Sequence, residues 1–142
     1  MQPVLFDTTI YVAGLRRGDE RMLATRRMEL GSVLFLSAVV LDELYAGAGD
    51  EARPVVERLE SDFERANRIL VPNQNDWSRA GKVIERLAAK YDYERVGRGR
   101  LTNDALIAMS AARVGVRVIT TNERDFRRLA EFRPFQFEVT GV

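Results

Sequence analysis

The sequence predicts an α/β fold in which helices flank a central, mostly parallel sheet of four to five strands. Short apolar runs recur along the chain, and segments with helical spacing of their apolar residues separate them. No hairpin signal joins two of these runs, which favours strands connected through helices, as in parallel sheets. A chain of 142 residues suffices for one core, so we expect a single domain over residues 1–142.

The expected strands and helices follow one another from the first residues to the last. Each strand is a short apolar run, and each helix carries apolar residues three and four positions apart. In order, they are strand 4–6, helices 8–15 and 22–30, strand 32–37, helices 38–46 and 51–67, strand 69–71, helices 76–90 and 104–114, strand 116–120, helix 124–131 and an edge strand at 135–139.

Polar residues and glycines predict where several of these helices begin and end. The candidates are Ser37 as the cap of helix 38–46, Gly47 and Gly49 as its end, Asn75 or Asp76 as the cap of helix 76–90, and Thr102 or Asn103 as the cap of helix 104–114. On helix 76–90, we expect Trp77, Ala80, Ile84 and Leu87 to form the buried face.

The composition restricts the available chemistry. The chain contains no cysteine and no histidine, which excludes thiolate nucleophiles, histidine-dependent triads and metals ligated by either residue within one subunit. Carboxylates remain as the main bases and ligands, and their oxygens favour Mg²⁺ or Mn²⁺. Neither a bilayer-spanning apolar stretch nor a signal peptide is present, so we expect a cytoplasmic protein without a membrane partner.

Polar residues gather near the expected carboxyl ends of the strands, where parallel sheets bind ligands. Asp7 ends the first strand, although an aspartate there can simply form a turn. In the segment after the second strand, the spacing leaves open whether Asp42 or Glu43 borders the core. Asp104 opens a nearly uncharged helix, where interaction with the helix dipole would contribute about 0.3–1 kcal/mol. Asn122 follows the fourth strand.

Convergence of these acids would have a chemical consequence. Neighbouring carboxylates repel one another, which favours a divalent cation that neutralises them. Such a cation can orient a phosphodiester and activate a water for attack, as in metal-dependent nucleases.

Arginines cluster locally although the formal net charge is only +1. Arg95, Arg98 and Arg100 lie among glycines and predict a flexible basic loop leading to Asp104, which is a candidate RNA contact. The alternative for any such group is a solvated, ion-paired surface.

Four blocks of sequence carry the candidate site residues. They are VLFDTT at 4–9, SAVVLDELYAG at 37–47, NDALIA at 103–108 and TTNERDF at 120–126. Each block is weakly specific alone, but in this order they resemble the PIN-domain ribonucleases, specifically the VapC-type toxins of toxin–antitoxin pairs. The resemblance spans nearly the whole chain and implies a PIN-like three-layer α/β/α fold.

The resemblance also implies a metal site. Asp7 and Asp104 match the principal Mg²⁺ ligands of the family, and Glu43 matches its second acid, which selects it over Asp42. Thr9 and Thr120 match hydroxyl positions that orient metal-bound water or phosphate.

The fourth acidic position departs from the family pattern. Family members often carry aspartate where this chain has Asn122, and an amide is a neutral, weaker ligand. Asp125 can supply the missing charge, or it can only cap the turn before Phe126.

By this resemblance the protein is a Mg²⁺-dependent endoribonuclease toxin, with Mn²⁺ as an alternative metal. It would hydrolyse RNA through metal-activated water, form a homodimer and be neutralised by a VapB-like antitoxin, whose arginine can enter the acidic site. One alternative is a catalytically quiet PIN-like domain that binds RNA or protein, which Asn122 favours. A phosphatase or receiver-like domain is disfavoured, because Asp7 lacks the neighbouring acids those folds use.

Overall fold

Helices separate each described strand from the next along the chain, as the sequence predicts. The computed structural model describes residues 2–16, 33–92 and 98–141, with the backbone alone at residues 16 and 98–100. The helix expected at 22–30 lies outside the described residues. The strands are β1 (Val4–Phe6), β2 (Leu34–Ser37), β3 (Ile69–Leu70), β4 (Arg117–Thr120) and β5 (Phe137–Val139), and the helices are α1 (Thr8–Arg16), α2 (Ala38–Arg65), α3 (Gln74–Tyr91), α4 (Arg98–Val114) and α5 (Glu123–Phe132).

The central sheet is parallel at every described strand pair, in the order β3-β2-β1-β4-β5. Strand β1 lies in the middle, with Val4 opposite both Leu34 and Arg117. The expectation of a mostly parallel sheet in a PIN-like α/β/α fold is confirmed, and β5 is an edge strand as predicted. From β1 the chain first builds outward through β2 and β3, and later returns to the other side of β1 with β4 and β5. The strand order therefore reverses between β1 and β4.

The core forms where the central strands meet the helices. All three residues of β1 are buried, because parallel strands in the middle of a sheet are covered on both faces. Helix α4 is the most buried helix, and its small and apolar residues from Ala105 to Met109 are at most 2% exposed. The described part of α4 therefore lies inside the core.

Helix α2 consists of two helical arms that meet at a kink, so the predicted end of the first helix at Gly49 is confirmed. Gly47 does not stop it, and the break falls at Gly49, whose φ of 66° and ψ of −173° are open only to glycine. The bend folds the two arms of the helix towards each other, so that Tyr45 Oη donates a 2.6 Å hydrogen bond to Glu60 Oε1. Residues this far apart would be about 22 Å apart along a straight helix. The hydrogen bond to Glu60 raises the pKa of Tyr45 to about 12.

Helix α3 begins earlier than the sequence predicts. Asn73, and not Asn75 or Asp76, is its cap, and Asn73 and Asp76 form a reciprocal capping box. Trp77 is 57% exposed, which contradicts its expected burial. The reason is that the buried stripe of α3 starts at Asp76 and continues through Ala80, so Trp77 lies beside this stripe and not on it.

Helix α4 also begins earlier than predicted, at Arg98 rather than at Asp104. Neither Thr102 nor Asn103 is therefore its cap. Arginine and leucine are strong helix formers, and Leu101 is buried in the core, so packing extends the helix through Gly99. The predicted flexible basic loop is therefore wrong for residues 98–100, which are helical. Residues 95–97 lie outside the described part of the chain. No helix in the described part of the chain is both long enough and apolar enough to span a bilayer.

One buried ion pair ties α3 to α4. Asp76 is fully buried, and Arg113 Nε donates to its two carboxylate oxygens at 2.9 and 3.2 Å. Arg113 also donates to the Val71 carbonyl oxygen at 3.3 Å. The side chain of Arg113 is 30% exposed, so the pair lies at the rim of the core. This pair anchors the C-terminal end of α4, about two and a half turns beyond Asp104.

We expect Arg113→Met to lower the free energy of unfolding by about 3 kcal/mol, because it leaves the buried Asp76 carboxylate without its cation. The matched control is Arg53→Met, which removes an exposed pair with Asp50 and should cost at most about 1 kcal/mol. Urea denaturation of both variants measures the difference. Equal losses would contradict the role assigned to the Asp76 pair.

Candidate active site

The candidate site lies where the strand order reverses, at the carboxyl ends of β1 and β4. In open parallel sheets this is the crevice where ligands bind. Asp7 follows β1 directly, and Thr120 is the last residue of β4. The Thr120 hydroxyl donates a 2.6 Å hydrogen bond to Asp7 Oδ2, so a side chain from each strand meets across the reversal point.

Asp7 is an almost fully buried carboxylate. Its side chain is 2% exposed, and Thr9 Oγ1 donates a second hydrogen bond to Oδ2 at 3.0 Å. Burial raises the pKa of Asp7, and the hydrogen bonds from Thr120, Thr9 and the adjacent backbone offset part of this rise. The structure thus fixes the orientation of a carboxylate whose charge the surroundings disfavour.

Glu43 is the second acid of the site. Ser37 caps α2 as predicted, with its Oγ accepting from the Val39 backbone at 3.2 Å, and this starts the helix directly at the end of β2. Glu43 is half-buried and accepts a 2.7 Å hydrogen bond from Thr8 Oγ1. Asp42 points to solvent, so of the two acids on this turn it is Glu43 that faces the site.

Burial is also the main cause that raises the pKa of Glu43. The hydrogen bond from Thr8 lowers it, the negative charge of Asp7 raises it further, and a hydrogen bond with the Asn103 side chain lowers it. Asp7 and Glu43 therefore repel each other electrostatically, and Asn103 brings α4 against Glu43.

Asp104 is buried at 7% exposure, one residue after Asn103. It is the seventh residue of α4 and not the first, because the helix begins at Arg98. The expectation that it stands at the head of a helix is therefore wrong, and the helix dipole does not explain its presence, since that effect fades beyond the first turn.

Asn122 and Asp125 contact each other. Asn122 caps α5, with its Oδ1 accepting from the Asp125 backbone at 3.4 Å, and its Nδ2 donates to Asp125 Oδ2 at 3.0 Å. Arg124 Nε also lies 3.4 Å from Asp125 Oδ1. The Asn122 backbone donates to Thr120 Oγ1 at 2.9 Å, which links this cap to the hydroxyl that holds Asp7.

The site offers the oxygen ligands that a divalent cation prefers, but few of the described acidic side chains are grouped closely. Within the part of the chain that the structure describes, no three acidic side chains are grouped closely enough to hold a metal ion. Mg²⁺, however, is usually held by one or two carboxylates together with waters and substrate phosphates. Asp7 and Glu43 supply hard oxygen donors and two negative charges that burial and repulsion leave poorly compensated, which a cation would relieve.

Two contacts of this site were not anticipated from the sequence. Thr8 holds Glu43 and Asn103 contacts it, whereas only the next residue in each case, Thr9 and Asp104, was singled out. Thr8 follows Asp7 and Asn103 precedes Asp104 in the sequence, and both side chains can form hydrogen bonds. This adjacency to a candidate acid is the feature of the sequence that indicates their role.

Three solved structures share the fold. They are DNA-bound VapBC from Salmonella typhimurium (22% identity, TM-score 0.68, 98% of this chain and 98% of that chain), VapBC2 from Rickettsia felis bound to a DNA fragment from their promoter (19%, 0.68, 99% and 100%) and VapBC-1 from nontypeable Haemophilus influenzae (24%, 0.64, 97% and 98%). At these identities the likeness concerns the fold alone. Comparison with curated protein sequences gives no match.

The family is shown by the sequence itself. The PIN domain matches over residues 4–132, a range that begins at β1 and ends with α5, and so includes every acidic residue of the site. The chain belongs to the PIN domain family.

Proposed function

We propose that this chain is a VapC-type toxin, an endoribonuclease that hydrolyses RNA phosphodiester bonds with the help of Mg²⁺. The observation that carries the proposal is the pair formed by the buried Asp7 and the half-buried Glu43 at the point where the strand order reverses. Membership of the PIN family supports it, since these domains are generally nucleases that use divalent metals.

In this proposal the threonines prepare the acids for a cation. Thr120 and Thr9 hold the carboxylate of Asp7, and Thr8 holds that of Glu43, so neither group must reorient when a ligand arrives. Asp7, Glu43 and Asp104 would hold the metal. When bound, a divalent cation supplies charge neutralisation, orients the scissile phosphodiester and lowers the pKa of an attacking water.

Asn122 and Asp125 enter the proposal through the cap they form. Their hydrogen bonds to each other close the first turn of α5, and the Asn122 backbone fixes the hydroxyl of Thr120. We assign them the role of positioning Thr120, and through it Asp7. In the fourth acidic position of the family, this chain would then have a structural pair.

We also propose a VapB-like antitoxin as the partner and a homodimer as the assembled state. The similar folds found in VapBC complexes support the antitoxin, and the homodimer follows from the resemblance to VapC-type toxins.

The alternative function is a catalytically quiet PIN domain that binds RNA or a protein. The observation that favours it is the lack, among the described residues, of three acids grouped as a metal site. It predicts that RNA binds and that Mg²⁺ brings no cleavage.

The proposal predicts Mg²⁺-dependent cleavage of RNA by the antitoxin-free protein. We expect Asp7→Asn, Glu43→Gln and Asp104→Asn each to slow cleavage by about 10²-fold or more, because each removes charge from the site at which the phosphodiester reacts. Asp42→Asn is the matched control, since Asp42 lies on the same helix turn as Glu43 and faces solvent. Gel assays with structured RNAs measure the rates.

Two results would count against the nuclease. Wild-type protein that binds these RNAs without cutting them in Mg²⁺ or Mn²⁺ would favour the quiet domain. Cleavage that survives all three site substitutions would place the chemistry elsewhere.

The raised pKa of Asp7 predicts how stability depends on pH. In the folded state its ionised form is disfavoured, so relative to Asp7→Asn the wild type loses stability as pH rises from the ordinary carboxyl pKa of about 3.9 through the raised folded value. Without metal at pH 8, we therefore expect Asp7→Asn to unfold at a higher temperature than the wild type. The gap should close as the pH falls towards about 4.

Mg²⁺ should reverse this order. At about 100 times its Kd, it should raise the Tm of the wild type by roughly 5–10 °C and leave Asp7→Asn nearly unchanged. Differential scanning fluorimetry measures both effects without any RNA. An equal Mg²⁺ shift in the two proteins would show that Asp7 does not contribute to cation binding.

A further inference from the structure

A basic groove lies between α3 and the end of α5. It is a cavity of about 160 Å³ lined by Arg79, Lys82, Val83, Arg86, Phe132 and Arg133. Four of these six side chains are cationic and none is acidic, although the whole chain carries a formal net charge of only +1. Positive charge is thus concentrated in this groove far beyond the average of the molecule.

The cations of this basic groove are available for a ligand. Lys82 and Arg86 are exposed, and Arg79 and Arg133 are partly buried. Among the described side chains, no ion pair joins any of the four to an acid. Lys90, one helix turn beyond Arg86, shows the contrast, because it pairs with Glu131 of α5 at 2.8 Å.

The spacing of the groove cations matches a chain of negative charges. Arg79, Lys82 and Arg86 follow one another at intervals of three and four residues, which places them in a row about 10 Å long on one face of α3. Phosphates recur about every 3.4 Å along the axis of a stacked B-form strand and lie further apart in an extended single strand, so a row of this length can face two or three phosphates. Arginine forks bind phosphate oxygens in pairs.

The size and lining of the groove also favour a nucleic-acid backbone. The cavity is smaller than the pockets of about 300–1,000 Å³ that hold drug-sized ligands, so it suits a phosphate group and not a whole nucleotide. Phe132, half-buried at the groove, offers an aromatic ring against which a base or sugar can pack.

We propose that this basic groove binds the phosphate backbone of single-stranded RNA as a contact separate from the acidic site. The inference rests on the proposed function, since it assigns a further binding surface for the same substrate. Substituting the groove cations with glutamine would weaken RNA binding and would leave the acids after β1 and on α2 and α4 unchanged.

The test is the affinity of a fluorescein-labelled uridine 12-mer, measured by fluorescence anisotropy in EDTA between 50 and 300 mM NaCl. The groove variant carries Arg79→Gln, Lys82→Gln and Arg86→Gln together. The control variant carries Arg53→Gln, Arg65→Gln and Arg127→Gln, which removes the same charge from exposed arginines paired within their own helices. Circular dichroism and thermal unfolding confirm that both variants fold.

We expect the groove variant to bind the 12-mer at least 10-fold more weakly than the wild type at 100 mM NaCl. The slope of log K against log salt should become shallower by about 2, which corresponds to three lost phosphate contacts on a single strand. The control variant should change affinity less than about 3-fold, because its arginines already have acidic partners.

Two results would overturn the inference. One is an equal loss of affinity in the groove and control variants, which would mean that only net charge matters. The other is displacement of the RNA by a polyglutamate 12-mer at equal concentration, which would identify the groove as a site for acidic peptide.

The outcome is separable from that of the proposed function, because no step requires cleavage. If Asp7→Asn abolishes cleavage while the groove variant binds RNA normally, only the groove inference fails. If the wild type cuts no RNA but the groove variant loses RNA, the nuclease proposal fails and the groove remains a nucleic-acid site.

Discussion

The candidate site depends on the pairing of β1 between β2 and β4. The Asp7 backbone donates to the Ile119 carbonyl oxygen at 2.9 Å, so the ladder with β4 continues into the first residue after β1. This hydrogen bond holds the Asp7 backbone in the sheet while the strand order reverses beside it, and the side chain is left in the crevice next to Thr120. Two further groups of the site interact with this carboxylate: Thr9 donates a hydrogen bond to it, and Glu43 experiences its charge.

The site acts against the stability of the free protein. Two acids whose pKa values burial raises are kept within electrostatic reach of each other, and the threonine hydroxyls offset only part of that cost. Such strain is informative, because a fold under selection for stability alone would replace Asp7 with an uncharged residue. A cation, or the guanidinium of a partner, would turn the same repulsion into binding energy. The basic groove is the corresponding case with positive charge, since its four cations line one cavity and none of them pairs with an acid among the described side chains.

The sequence predicted the features that depend on local pattern or direct adjacency. The apolar run before Asp7 and the cap at Ser37 were both readable, because each depends on neighbouring residues. Features set by packing between distant elements were not. Helix α4 begins at Arg98 because Leu101 packs into the core. The glycines near Arg98 predict a loop, and no local pattern in the sequence indicates that packing extends the helix there. The ion pair of Asp76 with Arg113 joins two different helices, so the spacing of residues within either helix does not predict it.

In the proposed function, Asp7, Glu43 and Asp104 hold one divalent cation at the reversal of the strand order. A crystal structure grown with Mn²⁺, with data collected at a wavelength where manganese scatters anomalously, tests it most directly. We expect one anomalous peak within coordination distance of a carboxylate oxygen of Asp7 and in reach of Glu43, directly or through a water. Mn²⁺ bound only at other acids, or an empty crevice at saturating Mn²⁺ with both carboxylates in place, would contradict it.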